Sequence, residues 1–462
     1  MGFGEGQPLD APNLSHIKSL RRFAKVESSK TESVGGRALN PRKPIYAMLA
    51  VGFAVILALA FTPYALISRA RQTVVAYIDV SESTAVKEFA AATPTPTPPF
   101  DLVRWYTDRG DDPARHGVFV QSFDGKATFA ELNADAGFNP ASLVKLSTTL
   151  VSLTRLGKDY RFATKVFIEG TIDKAGVLHG RLVVAGNDPT FGDFHATLVA
   201  KKLAERGVKK FNEEIAVTPD FVFNFSDKPD ESAQRLAKVL KFTPKTVTVA
   251  DAPAGEPAFV VESFPLTDIL LYMNAHSSNF VAHRLGAMVG GPEGVRAFLV
   301  NELGLPPEQV TLSTTSGLEV NRLTPRGLVR IIRALDAEAA RQGLKLTDIM
   351  AVASDDYGTL RRRLVGTPLE GAVVAKTGTL VHDDGGMASL GGIVYTRKYG
   401  KVCFVMLNQG SSVAESRQTT DLLLTEIIFT QDSPAPIPMP DKPRHMLEST
   451  DLEVKEAVTS DK

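Results

Sequence analysis

From Ile45 to Ile67 the chain runs through apolar residues without a charge. That length is close to the ~20 residues an α-helix needs to cross a bilayer. Arg37, Arg42 and Lys43 precede the run, and a polar linker follows it. This asymmetry predicts a single membrane anchor, residues 44–67, with the N-terminus in the cytoplasm and the rest of the chain exported. Arg69 and Arg71 weaken the bias, and Ala58-Leu59-Ala60 offers a signal-peptidase site as the alternative. Either route exports the remainder of the chain. Residues 1–43 are polar and basic, too poor in apolar groups for a stable fold. Residues 68–100 form a linker that includes Thr93-Pro94-Thr95-Pro96-Thr97-Pro98-Pro99, a stiff, extended spacer.

Beyond Phe100 the pattern becomes that of a folded protein. Gly117 to Ser122 reads as a strand, Asp124-Gly125 as a tight turn and Ala127 to Leu132 as the partner strand. Leu143, Leu146, Leu150 and Leu153 then recur at helical spacing behind Pro140, a residue suited to a helix entrance. Strands are predicted at 160–168, 177–184, 246–250 and 258–261, with a helix at 196–204. Further helices are predicted at 266–275, 280–289, 325–335 and 416–429, and strands at 372–376, 387–395 and 402–408. This order divides the folded part into 101–157, an α/β insertion at 158–262, and 263–431. Residues 432–462 are Pro-spaced and charged, which predicts a disordered tail.

The bulk composition narrows the function. In 462 residues, 52 Lys and Arg balance 52 Asp and Glu, which argues against a partner held by phosphate neutralisation, so no nucleic acid is expected. Arg361-Arg362-Arg363 reads as a solvated face. The single cysteine, Cys403, lies in an apolar strand, so it reads as buried packing rather than a disulfide or a zinc ligand. The eight histidines show no metal-ligand spacing, and no metal or cofactor is expected.

Ser142-Leu143-Val144-Lys145 carries the chemistry. Residues three apart share a helix face, so Lys145 lies beside the Ser142 hydroxyl, and a serine becomes a strong nucleophile when a base is within hydrogen-bond reach. Its place in the first helical turn puts unpaired N–H groups and the positive end of the dipole where negative charge would develop. Ser277-Ser278-Asn279 follows in a break between helices, and Lys376-Thr377-Gly378-Thr379 comes later still. Each motif alone is an ordinary loop or strand end. Together and in this order they match the motif set of serine β-lactamases and penicillin-binding proteins.

Further stretches extend the match. They are Asn139-Pro140-Ala141 before the serine, Tyr160 to Thr164, Leu178 to Leu182, Gly186 to Thr190, Ser316-Gly317-Leu318, Leu323-Thr324-Pro325, Gly358-Thr359-Leu360 and Ala375 to Thr379. On these residues the chain, from about His116 to Phe429, resembles the low-molecular-weight class C penicillin-binding proteins, the peptidase S13 family of D-alanyl-D-alanine carboxypeptidases and endopeptidases. The resemblance implies an α/β (α+β) transpeptidase fold of the penicillin-binding-protein and serine β-lactamase type. Such a fold is an antiparallel sheet flanked by helices, here with an inserted α/β subdomain.

It also implies the roles. Ser142 attacks the carbonyl between two D-alanines of a peptidoglycan stem peptide, and Lys145 accepts its proton. Burial and the cationic Lys376 both favour the neutral Lys145. Ser277 relays a proton to the leaving amine, and Asn279 holds the substrate amide. Lys376 and Thr377 bind the substrate carboxylate, Gly378 permits close backbone approach, and the Ser142 and Thr379 N–H groups form the oxyanion hole. β-Lactams would be inhibitors. Three departures stand out: Ser278 occupies a position usually held by Asp, the insertion is short enough to lack a subdomain, and an uncleaved anchor replaces a cleaved signal. A β-lactamase or esterase of the same fold is the alternative enzyme, and a catalytically silent cell-wall-binding protein the alternative of another class.

Overall fold

The computed structural model describes residues 97–211, 213–354, 357–410, 413–438, 447–448 and 452–456. The predicted basic tail and the anchor at 44–67 lie outside these residues, as does nearly all of the linker. Among the described residues, no helix is long and apolar enough to cross a membrane.

The chain begins with a short helix α1 (Leu102–Thr107), followed by β1 (His116–Ser122) and β2 (Thr128–Leu132). A 3-10 turn at Ala141–Leu143 leads into α2 (Val144–Leu156). The insertion comes next: β3 (Ala163–Ile172), β4 (Val177–Ala185), α3 (Asp193–Glu205), β5 (Lys210–Phe211), β6 (Glu214–Val217), α4 (Pro229–Leu240), β7 (Thr246–Val249) and β8 (Phe259–Glu262). Helices return as α5 (Leu266–His276), α6 (Asn279–Met288), α7 (Gly291–Asn301) and α8 (Pro325–Arg341). The chain then adds β9 (Val373–Leu380), β10 (Met387–Thr396), β11 (Gly400–Gln409), α9 (Val413–Gln431) and β12 (Glu453–Glu456).

Among the described residues, two sheets result. The first has the order β2-β1-β11-β10-β9, and its adjacent pairs are antiparallel. Apolar residues on one of its faces, among them Val118, Val120, Val373, Leu390 and Phe404, pack with α1 and α9 residues Leu102, Trp105, Leu424 and Ile428. The other face packs with α2, α5, α6 and α8 in a core that includes Leu143, Leu146, Leu270, Val281, Leu328 and Cys403. The second sheet, order β12-β8-β3-β4-β6-β7 with β5 beside β4, belongs to the insertion. Its core joins Val166, Leu182, Ile215 and Phe259 to Val199 of α3 and Leu236 of α4. The antiparallel sheet flanked by helices and the inserted α/β unit therefore agree with the sequence reading.

Three details differ from it. Lys376 to Thr379 do not end a strand: β9 continues through Gly378 to Leu380, each residue in register with β10. Arg363 is not part of a solvated face. It is buried and forms a forked pair with Asp421, at 2.6 and 2.8 Å. The described part of the C-terminal tail is also ordered by pairing. Ala435 N–H donates to Tyr395 O, Ile437 N–H donates to Gly371 O, and β12 pairs antiparallel with β8. Composition misled here because residues 435–437 bond to Tyr395 and Gly371 of the catalytic part, while β12 takes the edge of β8 that the insertion would otherwise leave open. Glu456 meets Lys202 and Arg206, Lys455 meets Glu262, and Val454 packs on the inserted core.

The ion pairs are exposed and screened by solvent, so they contribute little. The ladder and Val454 add to them. Deleting residues 447–462 is expected to lower the melting temperature by about 2–4 °C per kcal/mol lost, and an unchanged melting curve would show that β12 is not seated on β8.

Candidate active site

The three motifs converge. Asn139 is buried, and its side-chain oxygen accepts from the Ala141 N–H at 3.1 Å while its amide donates to Glu319 O at 3.2 Å. Between them Ala141 takes φ 50°, a left-handed conformation that costs an L-residue about 1–3 kcal/mol. Two glycines hold this turn from opposite sides. A Cβ on Gly317, itself at φ 85°, would lie 2.0 Å from Ala141 O, and one on Gly378 would lie 2.8 Å from Pro140 O and 2.1 Å from Ser389 Oγ. The loop 314–318 and strand β9 thus press directly on the backbone that presents Ser142.

Lys145 is fully buried. Its Nζ lies 3.0 Å from Ser142 Oγ, 2.7 Å from Asn279 Oδ1 and 2.5 Å from Ser316 O. The last two are acceptors only, so they take two N–H bonds. A neutral amine has two N–H donors and one lone pair. With both donors used, the lone pair faces the Ser142 hydroxyl, which donates to it. This is the geometry a general base requires. Burial pushes Lys145 down from 10.5 to about 7. The lysine–lysine repulsion expected to help bears instead on Lys376, which is driven well below its ordinary value by complete burial first and by Lys145 second.

Lys376 Nζ donates to Ser277 Oγ at 2.8 Å and to Thr377 O at 2.7 Å. A third N–H on its ammonium form remains for an incoming anion. A bound carboxylate would itself favour that ammonium form. Ser277 ends α5 in the left-handed region, φ 55°. Ser278 points away from this chemistry: it is the N-cap of α6, its hydroxyl accepting from the Val281 N–H at 3.3 Å. Asp and Ser cap helices about equally well, which accounts for the unusual residue. Because Asn279 Oδ1 is engaged by Lys145, only its Nδ2 remains for a substrate carbonyl.

β9 is an edge strand, partly covered. Ala353 N–H donates to Val373 O at 2.7 Å, and Ala375 N–H donates to Ala351 O at 3.2 Å. Strand backbone groups alternate in direction, so Thr377 and Thr379 turn theirs to the same edge. Beyond Ala375 that edge can receive an extended peptide. Arg417 of α9 donates to Thr379 Oγ1 at 3.2 Å.

The structure brings together the eight site residues expected from the sequence: Lys145 bonds Ser142 and Asn279, Lys376 bonds Ser277, and Thr377, Gly378 and Thr379 follow Lys376 along β9. Sequence reasoning missed the Ser316 carbonyl, Arg417 and His283, whose Nε2 lies 2.7 Å from Ser316 Oγ. The Ser316-Gly317-Leu318 stretch was the available signal. Among the described residues, no group of His, Cys, Asp and Glu could hold a metal.

The chain belongs to the D-Ala-D-Ala carboxypeptidase 3 (S13) family, whose model matches residues 104–234 and 222–426. It is 29% identical over 216 residues to carboxypeptidase Rv3627c of Mycobacterium tuberculosis. That match covers 43% of this chain and 45% of the relative's length, so the chain spans less than half of that curated relative. The fold is shared with the predatory endopeptidase Bd3459 of Bdellovibrio bacteriovorus, at TM-score 0.62 and 21% identity, over 73% of this chain and 98% of that one. It is also shared with penicillin binding protein 4 of Haemophilus influenzae, at TM-score 0.56 and 19% identity, over 68% and 96% of the two chains.

Two outcomes are expected from this geometry. Ser278→Asp keeps the helix cap and should change turnover by less than tenfold, about 1.4 kcal/mol of barrier, whereas Asn279→Ala removes a ligand of Lys145 and should cost considerably more. The reverse order in measured kcat would misplace the pair. The second concerns pH. Lys145 is neutral above about 7, so acylation should be on its plateau above that value and fall about tenfold per pH unit well below it. A rate independent of pH between 5 and 8 would exclude Lys145 as the base.

Proposed function

We propose that this chain is a serine D-alanyl-D-alanine carboxypeptidase or endopeptidase that acts on peptidoglycan stem peptides and binds penicillin. The observation that carries this reading is the buried Lys145 Nζ, 3.0 Å from Ser142 Oγ with Asn279 Oδ1 and the Ser316 carbonyl as its other partners; burial lowers its pKa, and in the neutral amine the lone pair is left for the serine hydroxyl. Ser142 Oγ attacks the carbonyl carbon between the two D-alanines, and its proton passes to Lys145. The oxyanion is stabilised by the N–H groups of Ser142 and Thr379, donors worth about 2.7–4 kcal/mol each when removed. The intermediate collapses as the C–N bond breaks. The proton that Lys145 took from Ser142 is passed to the leaving amine by way of the Ser277 hydroxyl, which returns Lys145 to its neutral form; Ser277 Oγ also accepts from Lys376 Nζ at 2.8 Å. Water then cleaves the acyl-enzyme, with Lys145 again accepting a proton. Lys376, Thr377 and Thr379 bind the terminal carboxylate, and the substrate lies antiparallel to β9.

Family membership supports the reading, as do the relatives. Bd3459 has been captured acylated by penicillin G, and the Haemophilus protein in complex with a β-lactam. A β-lactamase or esterase would use the same groups. The inserted sheet and the family match favour the peptidase, and the intact Ser142, Lys145 and Lys376 disfavour a silent binding protein.

A β-lactam should form a stable adduct on the peptide containing Ser142, detected by mass spectrometry. Ser142→Ala should abolish both the adduct and D-alanine release, and Lys145→Ala should lose labelling too. An adduct on another serine, or full release by Ser142→Ala, contradicts the mechanism.

The site of action is proposed to be outside the cytoplasmic membrane, with Ile45 to Ile67 as a single-span anchor. The basic flank and the lack of charge in that run support this. Protease added to spheroplasts should then remove the domain after Phe100. Protection of that domain, while an outer-face control is digested, would exclude the topology.

A further inference from the structure

Lys145 is held by α6 in two ways, of which one is direct. Asn279, the first residue of α6, accepts from Lys145 Nζ at 2.7 Å. His283 stands four residues on, so it shares that helix face. Its Nε2 lies 2.7 Å from Ser316 Oγ. Ser316 is fully buried, and its backbone carbonyl is the 2.5 Å acceptor of Lys145 Nζ. The same loop is docked on both helices: Thr148 Oγ1 donates to Thr315 O at 2.6 Å, and Thr315 Oγ1 donates to Ala282 O at 3.0 Å. Gly317 then meets the Ala141 carbonyl, where a Cβ would come within 2.0 Å. One residue, Ser316, thus links His283 to the base, and its neighbour touches the turn that carries the nucleophile.

We propose that His283 is a positioning residue for the general base: through the Ser316 hydroxyl it fixes the Ser316 carbonyl, and with it the direction of the Lys145 lone pair. This inference rests on Ser142 and Lys145 acting as nucleophile and base. The Ser316 oxygen accepts the Leu318 N–H at 3.3 Å, so its own proton is free to go to His283. Nε2 must then be unprotonated. Burial first, and Lys145 whenever it is protonated, hold His283 below its ordinary value, against the opposing pull of Glu319. The imidazole is therefore uncharged at neutral pH, and in the tautomer with its proton on Nδ1 its Nε2 accepts from the Ser316 hydroxyl. Its outer part is open to solvent, so replacing it leaves the cores intact.

The test uses the full chain and a fluorescent penicillin, with acylation followed by stopped flow so that the acylation rate constant separates from the initial dissociation constant. His283→Ala and Ser316→Ala should each slow acylation about fivefold or more, the scale of one lost hydrogen bond to a buried group, while the dissociation constant stays within about twofold. His283→Gln presents an amide oxygen to the same hydroxyl and should return the rate to within about threefold of wild type. Because the two residues act in series, the double variant should be no slower than the slower single one. A His283→Ala rate within about twofold of wild type overturns the proposal, as do multiplied effects in the double variant or a Gln variant as slow as Ala. If the wild-type chain takes no label at all, the serine–lysine reading fails and this inference with it. If the wild type is labelled, a negative result in the variants counts against His283 alone.

Discussion

Two lysines share one buried cleft without a carboxylate bonded to either among the described residues. Lys145 meets Ser142, Asn279 and the Ser316 carbonyl, and Lys376 meets Ser277 and the Thr377 carbonyl. A buried, unpaired ammonium is costly, so such groups shift toward the neutral amine. That shift suits Lys145 to the proposed role of base near neutral pH, and the absence of a carboxylate partner leaves Lys376 open to an incoming anion, which would restore its ammonium form. A carboxylate partner for Lys145 would stabilise its charge and unfit it for the proposed role of base.

The surrounding fold can be understood from the need to keep these groups close and dry. The 3-10 turn and the start of α2 supply Ser142 and Lys145 one helical turn apart. The α5–α6 break supplies Ser277 and Asn279 from either side of the Ser278 cap. β9 brings Lys376 in from the edge of the sheet. Their approach is closer than ordinary side chains allow, and the glycines at 317 and 378 mark where backbone meets backbone. The insertion and its β12 strap contribute none of the eight site residues, though Phe225 of the insertion packs on Tyr272 and Phe280 beside the α5–α6 break.

The site was largely legible in the sequence because its chemistry rests on side chains at fixed spacings. Ser142 and Lys145 declare themselves by a helical interval, and Lys376-Thr377-Gly378 by composition on an apolar strand. The Ser316 carbonyl did not, because a backbone acceptor leaves no residue identity to read. His283 did not, because its role comes from a helix face that turns toward a loop more than thirty positions away. β12 was missed for a related reason: a charged, Pro-flanked segment looks unfolded until the open edge of β8 is known to exist. Helix and strand existence was mostly readable from periodicity, but α1, α4, α7, β5 and β6 were not singled out; α1, β5 and β6 are short, whereas α4 carries a clear apolar face, Ala233, Leu236, Ala237 and Leu240, behind Pro229. Ser278 looked like a departure from a functional pattern, and its hydrogen bond to Val281 N–H makes it a helix cap.

The central claim, that Lys145 is a neutral base, is tested most directly by titrating it. In the full chain carrying labelled lysine side chains, carbon-13 NMR follows each amine through its own ionisation, and the Lys145→Arg variant assigns the resonance. The expected Lys145 signal titrates near 7. A Lys145 signal that titrates at the ordinary lysine value of about 10.4 would contradict it.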